Sequence, residues 1–166
     1  MKPFLKYALL TSAVIIIWSL IIYLTGLDRS AAGKYLNYAS YPIMILFIVL
    51  AVNEEKSLNG GYLGFDPAFK TGFFMMLVVA AIMGAFTYVY FSYINPGIMD
   101  LASEKARESM EDRDMSKEEI ERAMRYAKFF MSSGAMTAMA FFLNIILGAV
   151  FSLIIAAIMK KEKPLA

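Results

Sequence analysis

The chain has 166 residues, 60% of them hydrophobic and 18% charged, with a mean hydropathy of +0.59. A soluble domain carries about a quarter charged residues; here the charges are clumped and leave apolar runs too numerous to bury in one small core, which predicts an all-α membrane protein. A net charge of +2 gives no footprint for nucleic acid, and the lack of cysteine and histidine removes disulfides, thiolate chemistry, the commonest metal ligand and the usual general base.

Taken in order, Lys2 and Lys6 precede an apolar run over 7–27 that is long enough to cross a hydrocarbon core of roughly 30 Å. The run lacks the short core and small-residue cleavage site of a secretory signal, so it predicts an uncleaved first transmembrane helix. Ser12 and Ser19 share one face of it, where a hydroxyl bonds back to the backbone or meets a neighbouring helix. Asp28–Lys34 is a short polar connection. The second helix, expected over 35–53, is the least regular: its strongest part, Ile43–Val52, is too short to span unaided and must recruit Tyr35–Tyr41 upstream, with Asn53–Lys56 downstream as a further option. Pro42 would then lie inside the helix and kink it.

A polar link follows, with the turn signal Asn59-Gly60-Gly61. Its glycines match neither a Walker loop nor a dinucleotide fingerprint. Asp66-Pro67 then reads as a helix cap followed by a first-turn proline, opening a third transmembrane helix over 70–94. Ala80 with Gly84, and Ala81 with Ala85, are small-residue pairs that admit close approach of another helix. Tyr88, Tyr90 and Tyr93 form an aromatic belt at its far end, matched by Tyr23, Tyr35, Tyr38 and Tyr41.

Asn95-Pro96 repeats the cap-and-proline signal and opens an amphipathic helical hairpin over 96–131, broken at Asp112-Arg113-Asp114. Ser116 and Glu119 have capping-box spacing, Ile120, Met124, Ala127 and Met131 line one face, and Glu118–Arg122 and Glu121–Arg125 are spaced for ion pairs. The hairpin stands at, or lies on, the membrane surface. A fourth transmembrane helix over 132–159 carries the stripe Gly148, Ser152, Ala156. Asn144 is the one strongly polar side chain deep in a span and should face protein rather than lipid. Lys160, Lys161 and Lys163 close the helix as a basic rim.

The expected fold is therefore all-α, with four transmembrane helices and an extramembrane hairpin between the third and fourth. Four crossings place both termini on one side. Basic residues nearly balance across the two sides; the concentrated lysines of the tail favour cytoplasmic termini.

No catalytic, cofactor or metal site emerges. Glu104, Glu108 and Glu111, facing Glu118 and Glu121, offer oxygen ligands for a divalent cation, but the interleaved arginines read as a solvated, salt-bridged face. No span carries a central charge of the kind that ion-coupled pumps use, and no nucleophile–base pair is available.

The stretches Gly64-Phe65-Asp66-Pro67-Ala68-Phe69-Lys70-Thr71-Gly72-Phe73 and Tyr88-Val89-Tyr90-Phe91-Ser92-Tyr93-Ile94-Asn95-Pro96, with the acidic hairpin and Lys-Lys tail, resemble domain-of-unknown-function family 4199. The resemblance covers essentially the whole chain. It implies a small inner-membrane protein of Bacteroidota and suggests association with a polyprenyl-phosphate sugar transferase, but brings no activity or site residues. The expected function is a non-enzymatic membrane scaffold or accessory subunit, multi-pass in the bacterial inner (cytoplasmic) membrane. Its partners are the bilayer, a membrane enzyme docked on the Lys160–Lys163 rim, or a second copy, while the small residues Ala80, Gly84, Gly148, Ser152 and Ala156 let the third and fourth helices bind each other or a partner helix. The alternative is a small oligomeric transporter or channel lined by Asn144, Thr87, Ser19 and the Pro42 kink. A sensor reading a ligand through the hairpin ranks below both, for want of an output domain.

Overall fold

In a computed structural model, residues 1–30, 35–36 and 38–163 are described. Among them are six α-helices and no β-strand: α1 (Pro3–Leu24), α2 (Ser40–Leu58), α3 (Phe65–Val89), α4 (Gly97–Glu111), α5 (Lys117–Phe130) and α6 (Ser133–Met159). They divide into two compact units, Met1–Met83 with Phe142–Ala166, and Gly84–Phe141.

Three helices are long and apolar enough to cross a membrane: α1, α3 with its following turn to Ile94, and α6. The second segment is the exception, for a physical reason. α2 runs on through Glu54, Glu55 and Lys56, so its uncharged part, Ser40–Asn53, is a helix of only about 21 Å, short of a core of roughly 30 Å. It also begins at Ser40 rather than 35, which puts Pro42 in its first turn. There the missing N–H is an orphan in any case, so the kink expected at Pro42 does not arise. The connection expected over Asp28–Lys34 is described only to Ser30, after a single 3-10 turn at Leu27–Arg29; residues 31–34 and 37 lie outside the described residues.

The core of the first unit draws apolar side chains from four helices: Ala8 and Ile15 of α1, Met44, Ile48, Ala51 and Val52 of α2, Ala68, Met75, Met76 and Val79 of α3, and Ile155 and Ala156 of α6. α1 and α2 run side by side. At one end the Lys6 ammonium and the Tyr7 hydroxyl both donate to one Glu54 oxygen, at 2.6 and 2.8 Å. Further along, the Trp18 indole donates to the Leu36 carbonyl at 2.9 Å, just upstream of α2. The hydroxyls of Thr11, Ser12 and Ser19 bond back to the carbonyls four residues earlier, which satisfies them within their own helix.

The link from α2 to α3 turns at Gly60 and Gly61, both at positive φ, where a side chain would be strained. α3 starts two residues earlier than a cap at Asp66 requires, at Phe65 rather than Pro67. Asp66 instead lies in the first turn and accepts from Lys70 at 2.7 Å, and the first backbone bond, from Ala68 N–H, goes to Gly64.

In the second unit, α3 widens into a π turn over Tyr90–Ile94, closed by the Asn95 N–H donating to the Tyr90 carbonyl at 2.8 Å. Asn95 does not cap the hairpin: α4 starts at Gly97, Pro96 holds the cap position, and the Asn95 amide lies 3.4 Å from the Tyr90 hydroxyl. The hairpin turns at residues 112–114, with Asp114 left-handed at φ 55° and the Met115 N–H reaching back to the Met110 carbonyl. α5 then opens on the expected capping box: the Glu119 N–H donates to the Ser116 hydroxyl oxygen, and the Ser116 N–H to the Glu119 carboxylate at 2.9 Å.

Candidate functional site

Three places concentrate unusual chemistry or geometry. The first is the crossing of α3 and α6 in the first unit. Gly148 faces Met76 so closely that a methyl group at 148 would fall 2.4 Å from the Met76 Cβ. Alongside it, a methyl at Gly72 would fall 2.6 Å from the Ser152 Oγ and 3.0 Å from Ile48. The stripe Gly148, Ser152, Ala156 is buried along its length, as is Ala80 on α3. The small residues are thus used up by a contact inside one chain. Ser152 is 1% exposed and its hydroxyl has no hydrogen-bond partner.

The two α3 pairs fare differently. Ala80 and Gly84 are buried, but Ala81 and Ala85 face outward. Gly84, in the second unit, meets Phe141 at 3.7 Å from an added Cβ, an ordinary contact with room for a methyl. Gly72 is the residue that sequence reasoning missed. The signal was present, since Ala68 and Gly72 are themselves a small-residue pair four apart and both are buried.

The second place is the charged end of the first unit. Besides the Lys6–Glu54–Tyr7 cluster, Lys56 donates to the Met159 carbonyl at 2.9 Å, closing an orphan acceptor at the end of α6. Lys161 pairs its backbone with Leu63 in an isolated antiparallel bridge, both bonds at 2.8 Å, and lays its ammonium over the Tyr62 ring at 5.2 Å. All three rim lysines are exposed, but Lys161 alone is seen tied into the fold, through its backbone bridge and its place over Tyr62. Asn144 is half-buried in α6 and is not free of interactions.

The third is the hairpin cleft, about 360 Å³, lined by Arg107 of α4 and Ile120, Glu121, Met124, Arg125 and Lys128 of α5. A neighbouring cleft of about 380 Å³ shares Arg107, Ile120 and Glu121. Among the described residues the Glu118–Arg122 and Glu121–Arg125 pairs predicted from spacing do not form, and within the hairpin only Arg107–Glu111 closes, at 3.1 Å with both side chains largely exposed. The expected face is present, with Ile120 buried and the Met131 sulfur accepting from Ser103 at 3.3 Å. The backbone N–H and hydroxyl of Ser116 hold the Glu119 carboxyl below its usual range. Among the described residues no three carboxylates converge as a metal site.

The model of a family described as "Protein of unknown function (DUF4199)" matches residues 6–161. The chain belongs to that family. The match takes in every helix but the first residues of α1, so crossing, charged end and hairpin all lie inside it. No curated protein and no solved structure matches the chain.

Proposed function

We propose that this protein is a non-enzymatic integral membrane scaffold or accessory subunit of the bacterial inner membrane, with four spans and both termini in the cytoplasm. The observation that carries the reading is the use made of its special residues. The close-approach glycines, the buried Ser152 and most of the polar groups at the charged end are spent on holding helices together. Ser19, one of the residues a conduit would need, is bonded to its own backbone, and Pro42 belongs to a helix start.

The pairing of α1 with α2 supports a fourth span. α2 and its lead-in follow α1 from the level of Tyr7 to that of Trp18, so a bilayer crossed by α1 encloses α2 as well. Burial against α1 and the core compensates for the short apolar run. The partner we favour is a membrane enzyme, and a polyprenyl-phosphate sugar transferase is the class that the family resemblance suggests. Lys160 and Lys163, which form no ion pair among the described residues, are the cations of the rim that would meet it.

The test is extraction from native membranes into polymer discs, followed by identification of what co-purifies. A stoichiometric enzyme partner supports the accessory reading. A pure homo-oligomer would overturn it in favour of an oligomeric transporter or channel, to be assayed by flux in liposomes.

A further inference from the structure

The hairpin cleft collects cations that the fold does not neutralise. Arg125 and Lys128 form no ion pair among the described residues, Arg107 shares its charge only with exposed Glu111, and Glu121 is the one acid in the lining. The floor beneath them is apolar, Ile120 and Met124. α5 is also the most amphipathic of the described helices, and its last turn ends in bare aromatic rings: Tyr126 is 68%, Phe129 69% and Phe130 55% exposed. Single exposed apolar residues are ordinary; three large aromatics in five residues beside unpaired cations are not.

Chain connectivity fixes where this surface must be. Ser132 ends the turn after α5, with its hydroxyl accepting from the Ala135 N–H, and Ser133 begins α6, which is long and apolar enough to span. Ser133 lies five positions after Lys128, and an extended chain over five steps reaches at most about 18 Å. α6 is itself about 40 Å long against a core of roughly 30 Å, so a span centred on it leaves its first turn in the headgroup layer. The same unit holds the far end of α3 with exposed Tyr88 and Tyr93, the residue type that marks that boundary.

We propose that the Arg107–Arg125–Lys128 cleft binds the phosphate headgroup of an acidic phospholipid, with Tyr126, Phe129 and Phe130 seated among the headgroups beside it. The guanidinium of Arg125 supplies a planar fork for phosphate oxygens, Lys128 a mobile point charge, and Met124 and Ile120 take the first carbons of the lipid. The site is independent of the accessory-subunit reading and needs only that α6 span.

Hydrogen exchange of the full-length protein tests this in nanodiscs of phosphatidylcholine alone, or with about a third phosphatidylglycerol, where each basic residue engaged is worth about fivefold. The amides of α5 should exchange several-fold more slowly in the acidic bilayer, and added salt should erase the difference. The same protection in both bilayers overturns the proposal, as does full protection in phosphatidylcholine on adding inorganic phosphate, which would make the ligand a free anion. Arg125→Glu with Lys128→Glu should abolish the difference while leaving exchange in phosphatidylcholine unchanged; a retained difference counts against the cleft. The comparison of bilayers with the unaltered chain stands even if that variant fails to fold.

Discussion

Gly148 and Met76 touch through backbone-proximal atoms: a Cβ built on Gly148 lies 2.4 Å from the Met76 Cβ and 2.9 Å from its Cγ. The Met76 Cβ cannot swing away, because it is fixed to the α3 backbone, so the helices themselves would have to part. Gly148→Ala gains about 1 kcal/mol of helix propensity. It should nonetheless destabilise the protein by about 1–3 kcal/mol through overpacking. Gly84→Ala meets Phe141 only at ordinary contact distance and should be neutral or slightly stabilising. Reversible unfolding in mixed micelles distinguishes the two, and equal effects would mean that the crossing is not the tight point.

Ser152 provides a second reading of the same crossing. Its hydroxyl is buried against Gly72 with no hydrogen-bond partner, and an orphaned buried polar group costs about 1–3 kcal/mol. Ser152→Ala should therefore be neutral to stabilising, whereas Ser152→Val should destabilise by crowding Gly72. Loss of stability in the alanine variant, measured as above, would show that the hydroxyl has a partner.

How much of this was legible in the sequence depended on whether the signal was local. The Ser116–Glu119 box, the turn at Gly60-Gly61 and the stripe at Gly148, Ser152 and Ala156 are spacing rules, and each is found where its spacing placed it. Pro42 and Asp66 were misplaced by a register of one to a few residues, since a proline or a carboxylate fits a helix start at several adjacent positions. The hairpin ion pairs failed because spacing only permits a pair, and on an exposed face the gain does not repay holding two long side chains in place. The Lys6–Glu54–Tyr7 cluster and the Leu63–Lys161 bridge join residues far apart in the chain, and nothing local announces them.

The rim lysines should behave unequally. Lys160→Glu with Lys163→Glu reverses two exposed charges and should weaken recruitment of a docked enzyme while leaving thermal stability unchanged. Lys161→Glu also loses the cation over Tyr62 and should lower the melting temperature. Co-sedimentation of the partner with membranes, set beside a melting curve for each variant, separates the two effects. Unchanged recruitment in the double variant would remove Lys160 and Lys163 from the docking surface.

The α1–α2 tie is expected to matter to the fold, not to a reaction. Glu54→Gln keeps the size of the side chain and an acceptor oxygen but removes the charge that Lys6 and Tyr7 share. It should lower the melting temperature, and Tyr7→Phe should do so less, since the ammonium bond remains. Both groups of the ion pair are part-exposed, so high salt should narrow the gap between Glu54→Gln and the unaltered protein. A Glu54→Gln variant as stable as the parent would mean the cluster is not structural, and would reopen it as a site.

The capping box gives the hairpin a definite pH dependence. The Ser116 N–H and hydroxyl stabilise the ionised Glu119 carboxylate, so its pKa in the folded hairpin lies below the unfolded value of about 4.3. A depressed pKa means that the stabilising contribution is fully present above that unfolded value. It is lost as pH falls through the lower folded value. Hydrogen exchange of the α5 amides should therefore quicken in acid beyond what the intrinsic rate explains, starting at the first turn after Ser116. Glu119→Gln retains a neutral acceptor and should flatten this acid dependence, while Ser116→Ala should cost about 1 kcal/mol of local stability across the range. An acid response in Glu119→Gln as large as in the parent would move its origin away from the box, to the other carboxylates of α4 and α5.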